Sequence, residues 1–218
     1  MTRSTPVRCP SESCAAEFVL AASRLGRSVH CPSCGIRMTA RPLEVERKLL
    51  EQQARIGGGE GAEIERLPFA VVLDNVRSLW NVGSMFRTAD ACGVQKMLLT
   101  GVTGYPPRPE LSKTALGAEQ AVAWSYLADP VEAIRRLARE GFEPVALETS
   151  PRAVRLDRFE WPDRVALVVG NEVAGVGAPV LNECSRHLSL PMLGVKDSLN
   201  VAVAFGIAAF AAARAIQR

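Results

Sequence analysis

Short apolar runs alternate with longer, partly polar stretches from Leu67 to the end of the chain. Six runs have the length and apolar content of strands: 69–73, 96–100, 121–124, 144–147, 165–169 and 188–190. Four other stretches are predicted to be helices: 82–92, 131–140, 179–184 and 199–216. Continuous apolar strands that alternate with helices predict an α/β fold, in which helices cover both faces of a mostly parallel sheet.

The first part of the chain has a different pattern, and a glycine-rich break separates it from the rest. Residues 43–56 are rich in Glu, Arg, Lys and Gln and are predicted to form an amphipathic helix. The sequence Gly-Gly-Gly-Glu-Gly at 57–61 ends that helix as a flexible linker. We therefore predict a small module at 1–42, a helix and linker at 43–66, and a larger domain at 67–218.

Four of the six cysteines lie in the first module, with the spacing of a zinc site. Four residues separate Cys9 from Cys14, two separate Cys31 from Cys34, and sixteen lie between the pairs. Two such pairs can surround Zn²⁺ tetrahedrally, and a reducing compartment disfavours the alternative of disulfides. The segment resembles short bacterial zinc ribbons, although those usually begin with CxxC, so His30 is an alternative ligand to Cys9.

The net charge of +3 is too small to indicate a nucleic-acid partner, but its distribution is uneven. Residues 1–42 contain six arginines and two acids, a balance of +4, and the remainder contains 20 basic and 21 acidic residues, a balance of −1. A basic module indicates an anionic partner or simply a solvated surface. Without a signal-peptide pattern, and with a last helix that is short for a membrane span, we expect a cytoplasmic protein with no membrane partner.

Two segments of the larger domain join turn residues to polar side chains. Asn81 is predicted to cap a helix, Gly83 to admit another backbone, and Arg87 to lie one turn beyond Gly83 on the same face. Further along, the strand 165–169 runs into a glycine-rich turn that carries Glu172, where backbone groups would be exposed at the carboxyl end of a parallel sheet. Taken singly, these segments also fit an ordinary capped helix and an ordinary strand exit.

A third segment, 190–202, precedes the last helix. Ser198 is predicted to cap that helix, and Asn200 to lie in its first turn. In order, the three segments read NxGxxxRxA from Asn81, GxExxG from Gly170 and PMxGxxxSLNV from Pro191. Together they resemble the TrmH/SpoU family of SPOUT methyltransferases over residues 67–218.

The resemblance implies a C-terminal trefoil knot, a homodimer, and methyl transfer from S-adenosylmethionine to a ribose 2′-OH of RNA. By match, six residues would line the cofactor pocket, largely through backbone: Leu147, Gly170, Leu190, Met192, Ser198 and Leu199. Four residues match the family's catalytic and RNA-facing positions: Asn81, Arg87, Glu172 and Asn200. The family's frequent N-terminal RNA-binding domain is missing, and the zinc ribbon stands in its place.

The chemistry leaves the role of Arg87 open. A guanidinium, with a pKa above about 12, is a poor base at neutral pH, so we interpret Arg87 as a phosphate clamp that stabilises developing alkoxide charge. Glu172 is the other candidate base, or a residue that orients Arg87 or Asn81. The favoured substrate is tRNA, with ribosomal RNA second. A guanine-base methyltransferase and a non-catalytic zinc-ribbon RNA-binding protein are the alternatives.

Overall fold

The computed structural model describes residues 4–11, 13–25, 27–40, 42–43 and 65–217. The chain divides into two compact units, Met1–Gly59 and Glu60–Arg218. The predicted amphipathic helix, from residue 44 onward, and the glycine linker at 57–61 lie outside the described residues.

The described residues of the first unit form two antiparallel hairpins, with a 3-10 turn at Ala22–Arg24 between them. Strand β1 (Ser4–Arg8) pairs with β2 (Glu17–Ala21), and β3 (Ser28–His30) pairs with β4 (Arg37–Thr39). One cysteine pair lies in the loop of each hairpin. A unit this small buries few apolar side chains, and its buried cluster consists of Cys9, Val29, Cys31, Met38 and Ala40.

The second unit is a parallel sheet with helices on both faces. Its strands are β5 (Leu67–Asp74), β6 (Val94–Thr100), β7 (Ala123–Leu127), β8 (Glu143–Leu147), β9 (Val154–Arg155), β10 (Val165–Val169) and β11 (Arg186–Ser189). The helices are α1 (Leu79–Ala91), α2 (Pro109–Ala115), α3 (Ala118–Ala121), α4 (Pro130–Arg139), α5 (Ala178–Glu183) and α6 (Val201–Ile216). The strand order is β7-β6-β5-β10-β8-β11-β9, and every neighbouring pair is parallel. The predicted α/β class is confirmed.

Strand β5 shows why the central strands are apolar throughout. Successive side chains point to opposite faces of a sheet. Val71 and Leu73 therefore pack into the core beneath α1 and α6, whereas Ala70 and Val72 pack into the core beneath α4 and α5. Both faces are buried, so neither can carry polar residues.

Some predicted boundaries were wrong. The strand predicted at 121–124 begins at Ala123, because residues up to Ala121 form the short helix α3 and pairing with β6 starts opposite Lys96. The strand predicted at 188–190 is β11, two residues earlier, and the last helix begins at Val201 rather than at 199. Helices α2 and α3 and strand β9 were not predicted. Strand β9 has two residues and α3 four, which is too short to show a period, and α2 consists mostly of polar residues without an apolar run.

The order of the strands in the sheet differs from their order in the chain. Strand β10 lies between β5 and β8, and β11 lies between β8 and β9, so later strands pair between earlier ones. The trefoil knot stays a prediction from the resemblance. Within the described part of the chain, no helix is long and apolar enough to cross a bilayer.

Candidate functional site

A pocket opens where β8, β10 and β11 end, at the carboxyl edge of the sheet, the usual place for ligands in parallel α/β folds. Its volume is about 230 Å³, and the loop between β11 and α6 closes one side. All six residues predicted to bind the cofactor line it: Leu147, Gly170, Leu190, Met192, Ser198 and Leu199. The sheet thus brings together residues that are up to 52 positions apart in the chain.

The turn after β10 is held in a tight fold by glycine. A Cβ atom on Gly170 would lie 2.2 Å from the Gly175 carbonyl carbon and from the Val176 nitrogen, so no larger residue fits there. Asn171 and Gly175 exchange two backbone hydrogen bonds of 2.9 Å. The Asn171 side chain also accepts hydrogen bonds from the N–H groups of Val173 and Ala174. This turn is therefore a rigid wall of the pocket.

Two carboxylates that the sequence analysis missed support the same turn. Glu148 lines the pocket, and its Oε2 atom accepts a hydrogen bond of 2.8 Å from the Val176 N–H. Asp74 is buried, and its Oδ2 atom accepts one of 3.0 Å from the Gly177 N–H. Their positions could have identified them from the sequence. Asp74 ends a strand and Glu148 directly follows one, at the same edge of the sheet as Glu172.

Asn81, Glu172 and Asn200 form one hydrogen-bonded chain beside the pocket. Asn81 Nδ2 donates to Glu172 Oε1 at 3.0 Å, and Asn200 Nδ2 donates to Asn81 Oδ1 at 3.2 Å. Asn200 Oδ1 accepts from the Ala202 N–H at 2.9 Å. Because a carboxylate only accepts and an N–H only donates, these partners fix the orientation of both amides.

The Glu172 carboxylate also fixes the backbone directly before α1. It accepts hydrogen bonds from the backbone N–H groups of Arg77 at 3.0 Å and Ser78 at 2.9 Å. Burial alone would raise the pKa of the Glu172 carboxyl, but these hydrogen bonds outweigh burial and hold the pKa below its usual value. Glu172 is therefore a charged acceptor at neutral pH.

Both predicted helix caps were wrong. The N-cap of α1 is Ser78, whose hydroxyl accepts from the Asn81 N–H at 3.3 Å, so Asn81 lies in the first turn instead. The N-cap of α6 is Asn200, and Ser198 lies before the helix and donates to Asp197. The physical reason is the same for both helices. A side chain can cap a helix only where the chain direction, which the sheet sets, brings its oxygen to the free N–H groups of the first turn.

Arg87 is not brought to the pocket of its own chain. It is exposed on α1, does not line the pocket, and makes no hydrogen bond or ion pair with any described residue. The face of α1 that carries Gly83 is not open, because a Cβ atom there would lie 2.2 Å from the Leu111 carbonyl oxygen of α2. The predicted close approach of a backbone at Gly83 is confirmed, but α2 occupies that face.

In the first unit, the four cysteines of the two hairpin loops converge. Their sulfur atoms all lie within 4.8 Å of one another, with Cys9 and Cys34 at 3.6 Å and Cys14 and Cys31 at 3.9 Å. Sulfurs at the corners of a tetrahedron with Zn–S bonds of about 2.3 Å are about 3.8 Å apart, so the donor set fits zinc. His30 is exposed and is not part of the cluster.

The remaining two cysteines are core residues, as expected. Cys92 and Cys184 are 4% and 3% exposed and lie at the ends of α1 and α5. Burial raises the pKa of the Cys92 thiol to about 11, so it stays a neutral apolar side chain at neutral pH.

Comparison with known proteins gives one family match within the second unit and several similar proteins. The model of the SpoU rRNA Methylase family matches residues 68–210, more than half of the chain. The 23S rRNA (guanosine-2'-O-)-methyltransferase RlmB of Salmonella typhi is 33% identical over 148 residues, which cover 67% of this chain and 60% of that relative. This chain therefore spans less than two thirds of the length of RlmB.

Two solved structures share the fold. The A. aeolicus TrmH/SpoU tRNA modifying enzyme has a TM-score of 0.64 and 27% identity, and the match covers 80% of this chain and 85% of that chain. The AdoMet-bound rRNA methyltransferase from Sinorhizobium meliloti has a TM-score of 0.62 and 32% identity, with 67% of this chain and 56% of that chain covered.

Proposed function

The chain belongs to the SpoU rRNA methylase family, and on this basis we propose that it transfers a methyl group from S-adenosylmethionine to a ribose 2′-OH of RNA. The observation that carries the proposal is the convergence of the three sequence segments on one pocket. Asn81 of the first segment joins the hydrogen-bonded chain beside the pocket, and residues of the second and third segments line the pocket itself. Arg87 is the exception, since it does not reach the pocket of its own chain.

The lining of the pocket suits S-adenosylmethionine. Leu147, Leu190 and Met192 offer apolar contacts for the adenosine, and the carboxylates of Glu148 and Asp197 lie on the lining of a site that would hold a cationic sulfonium and amine. When bound, the cofactor supplies an electrophilic methyl group. The protein contributes the backbone-lined space that holds this group in line with the attacking hydroxyl.

The asparagine pair is proposed to contact the RNA. Each side-chain amide has two N–H bonds, and within the described residues Asn81 uses one on Glu172 and Asn200 uses one on Asn81. One N–H therefore stays free on each amide, available for a ribose hydroxyl or a phosphate oxygen. Glu172 serves as a positioning residue for Asn81 rather than as the base, because its hydrogen bonds stabilise the charged form.

A homodimer would explain the surface of α6. One face of this helix is buried on the sheet, whereas Val203, Ile207 and Phe210 are 52%, 43% and 58% exposed. Their spacing of four and three residues places them on one stripe, and α6 also packs against α1, which carries Arg87. We propose that two chains pair through this stripe and that Arg87 acts at the partner's pocket.

Introducing a charge into the stripe should break this dimer. In the Phe210→Asp variant, pairing would bury a carboxylate in an apolar interface, and the desolvation of that charge is unfavourable. The variant is therefore expected to sediment as a monomer at micromolar concentration and to lose methyl transfer. Val19→Asp, at a residue 63% exposed in the first unit, is the control and should remain dimeric. A wild-type chain that is monomeric and active would contradict the proposal.

The RNA class is the finer part of the proposal, with tRNA favoured and ribosomal RNA second. Purified protein with labelled S-adenosylmethionine should label RNA, and digestion should release a 2′-O-methylated nucleoside. Mapping ribose methylation in total RNA from cells with and without the gene identifies the position. A methylated guanine base would favour the base-methyltransferase alternative, and absence of cofactor binding by calorimetry would favour a non-catalytic RNA-binding protein.

We also propose that the four cysteines hold a structural zinc ion. The geometry of the thiols supports this proposal, and the buried cores of the hairpins are too small to be stable without a bound metal ion or a cross-link. The proposed zinc thiolates and the proposed RNA substrate both favour a cytoplasmic location.

A further inference from the structure

Exposed aromatic rings lie beside the site that holds Asn81. Trp80 is 50% exposed, and Tyr105 and Tyr126 are each 40% exposed. We call these three side chains the aromatic surface. The proposed reaction assigns them no role, and aromatic rings that are exposed yet held in fixed positions are suited to a binding surface.

Neighbouring aromatic rings and a hydrogen bond hold the two tyrosine side chains in place. The rings of Tyr105 and Tyr126 have centroids 4.8 Å apart at 41°, and Trp124, which packs against the main core, lies 6.1 Å from Tyr105. The Tyr126 hydroxyl donates a hydrogen bond of 2.8 Å to the Gly101 carbonyl. The rings therefore present fixed faces, and binding would cost little conformational entropy.

The loop that carries Tyr105 packs against the start of α1, next to the segment that carries Trp80 and Asn81. The loop that carries Tyr105 packs so closely on α1 that a Cβ atom on Gly104 would lie 2.3 Å from a Leu79 methyl carbon. Trp80 follows Leu79 and directly precedes Asn81. The Trp80 carbonyl accepts hydrogen bonds from Ser84 Oγ and Thr114 Oγ1, which fix the backbone at this position.

Positive charge accompanies the rings. Lys113 Nζ lies 5.8 Å from the centroid of the Trp80 ring, within the range of a cation–π contact. Arg77 and Arg108 are also exposed nearby in sequence, and Glu110 is the one acid among residues 101–113. An apolar protein partner would not require cations among the rings, whereas an RNA strand needs both stacking faces and phosphate contacts.

From this juxtaposition we propose that the aromatic surface stacks unpaired bases of the nucleotides that flank the target ribose. The inference rests on the proposed function and adds that the target lies in a single-stranded or unpaired segment. Stacking is tolerant of sequence, because every base has a π-face. The surface would thus position the strand, while the asparagine pair contacts the reacting nucleotide.

The test compares binding of a short single-stranded oligoribonucleotide with binding of an abasic strand of equal length and charge. The wild-type dimer should bind the base-bearing strand at least tenfold more tightly, and Trp80→Ala or Tyr105→Ala should weaken that binding about tenfold without affecting the abasic strand. Trp80→Phe keeps a stacking face and should stay within about threefold of wild type. The affinity for S-adenosylmethionine, measured by calorimetry, should not change.

Equal binding of both strands by the wild type, or unchanged binding by both alanine variants, would overturn the inference but not the proposed function. Loss of the dimer in the alanine variants, seen by sedimentation, would also overturn it, because the surface would then be a subunit contact. Failure of the wild type to bind either strand would also overturn this inference, and methyl transfer from labelled S-adenosylmethionine to total RNA would then decide the proposed function separately.

Discussion

Arg87→Ala is expected to reduce methyl transfer about a hundredfold while the fold and the affinity for S-adenosylmethionine stay unchanged. The side chain is exposed and has no partner among the described residues, so its removal breaks no contact of the chain that we observe. A lost phosphate clamp or charge stabiliser costs on the order of 3 kcal/mol in the transition state. Single-turnover rates, with calorimetry for the cofactor, measure the two effects separately.

Arg87→Lys distinguishes the clamp from a base. Lysine keeps the charge but lacks the planar guanidinium that binds a phosphate through two hydrogen bonds. Its usual pKa of about 10 makes it easier to deprotonate than arginine, and so a better base. If clamping matters most, the lysine variant should be nearly as inactive as alanine at every pH. Recovery of activity as the pH rises would instead assign proton removal to this side chain. Full activity of Arg87→Ala would remove the residue from the mechanism.

Mixed dimers show whether Arg87 serves the partner's pocket. Leu190→Trp should fill the pocket of about 230 Å³ and abolish cofactor binding while leaving Arg87 in place. Each variant alone is expected to have at most about a hundredth of wild-type activity. If Arg87 acts on the partner subunit, mixing the two variants should restore about a quarter of wild-type activity, because half of the dimers are mixed and each has one complete site. If Arg87 acts within its own chain, the mixture should stay inactive.

Loss of zinc is expected to unfold the first unit and to leave the second intact. Binding of structural zinc contributes apparent free energies of about 10–16 kcal/mol in small modules, far more than the buried apolar cluster of this unit can supply. Purified protein should contain about one zinc per chain, and Cys31→Ser should contain almost none. Proteolysis should then cleave within residues 1–42 first, with cofactor affinity unchanged.

The control for zinc binding is Cys92→Ala, at a buried cysteine outside the cluster, which should keep its zinc. Weaker RNA binding by Cys31→Ser, with a smaller salt dependence, would show that the basic first unit contacts phosphates. Purified wild-type protein with no metal and four free thiols would contradict the zinc proposal.

The sequence alone determined those features that depend on neighbouring residues. Strand β10 was predicted with both its boundaries, because an unbroken apolar run must be buried on both faces. The cysteine spacing indicated a cluster, since two short loops can only present their thiols together. Five of the six residues matched to the cofactor pocket lie in the second and third segments, Leu147 was matched by its place at a strand end, and the fold brings all six to one pocket.

Only the tertiary structure determined which groups far apart in sequence contact one another. Glu172 binds the backbone at Arg77 and Ser78, more than 90 positions earlier, and this contact fixes the chain just before α1, which Ser78 caps. Glu148 and Asp74 support the turn after β10 by long-range hydrogen bonds that no local pattern encodes. The close packing of α2 on Gly83 likewise decided which face of α1 is covered, because hydrogen bonds and steric contact act over a few ångströms of space, whatever the separation in sequence.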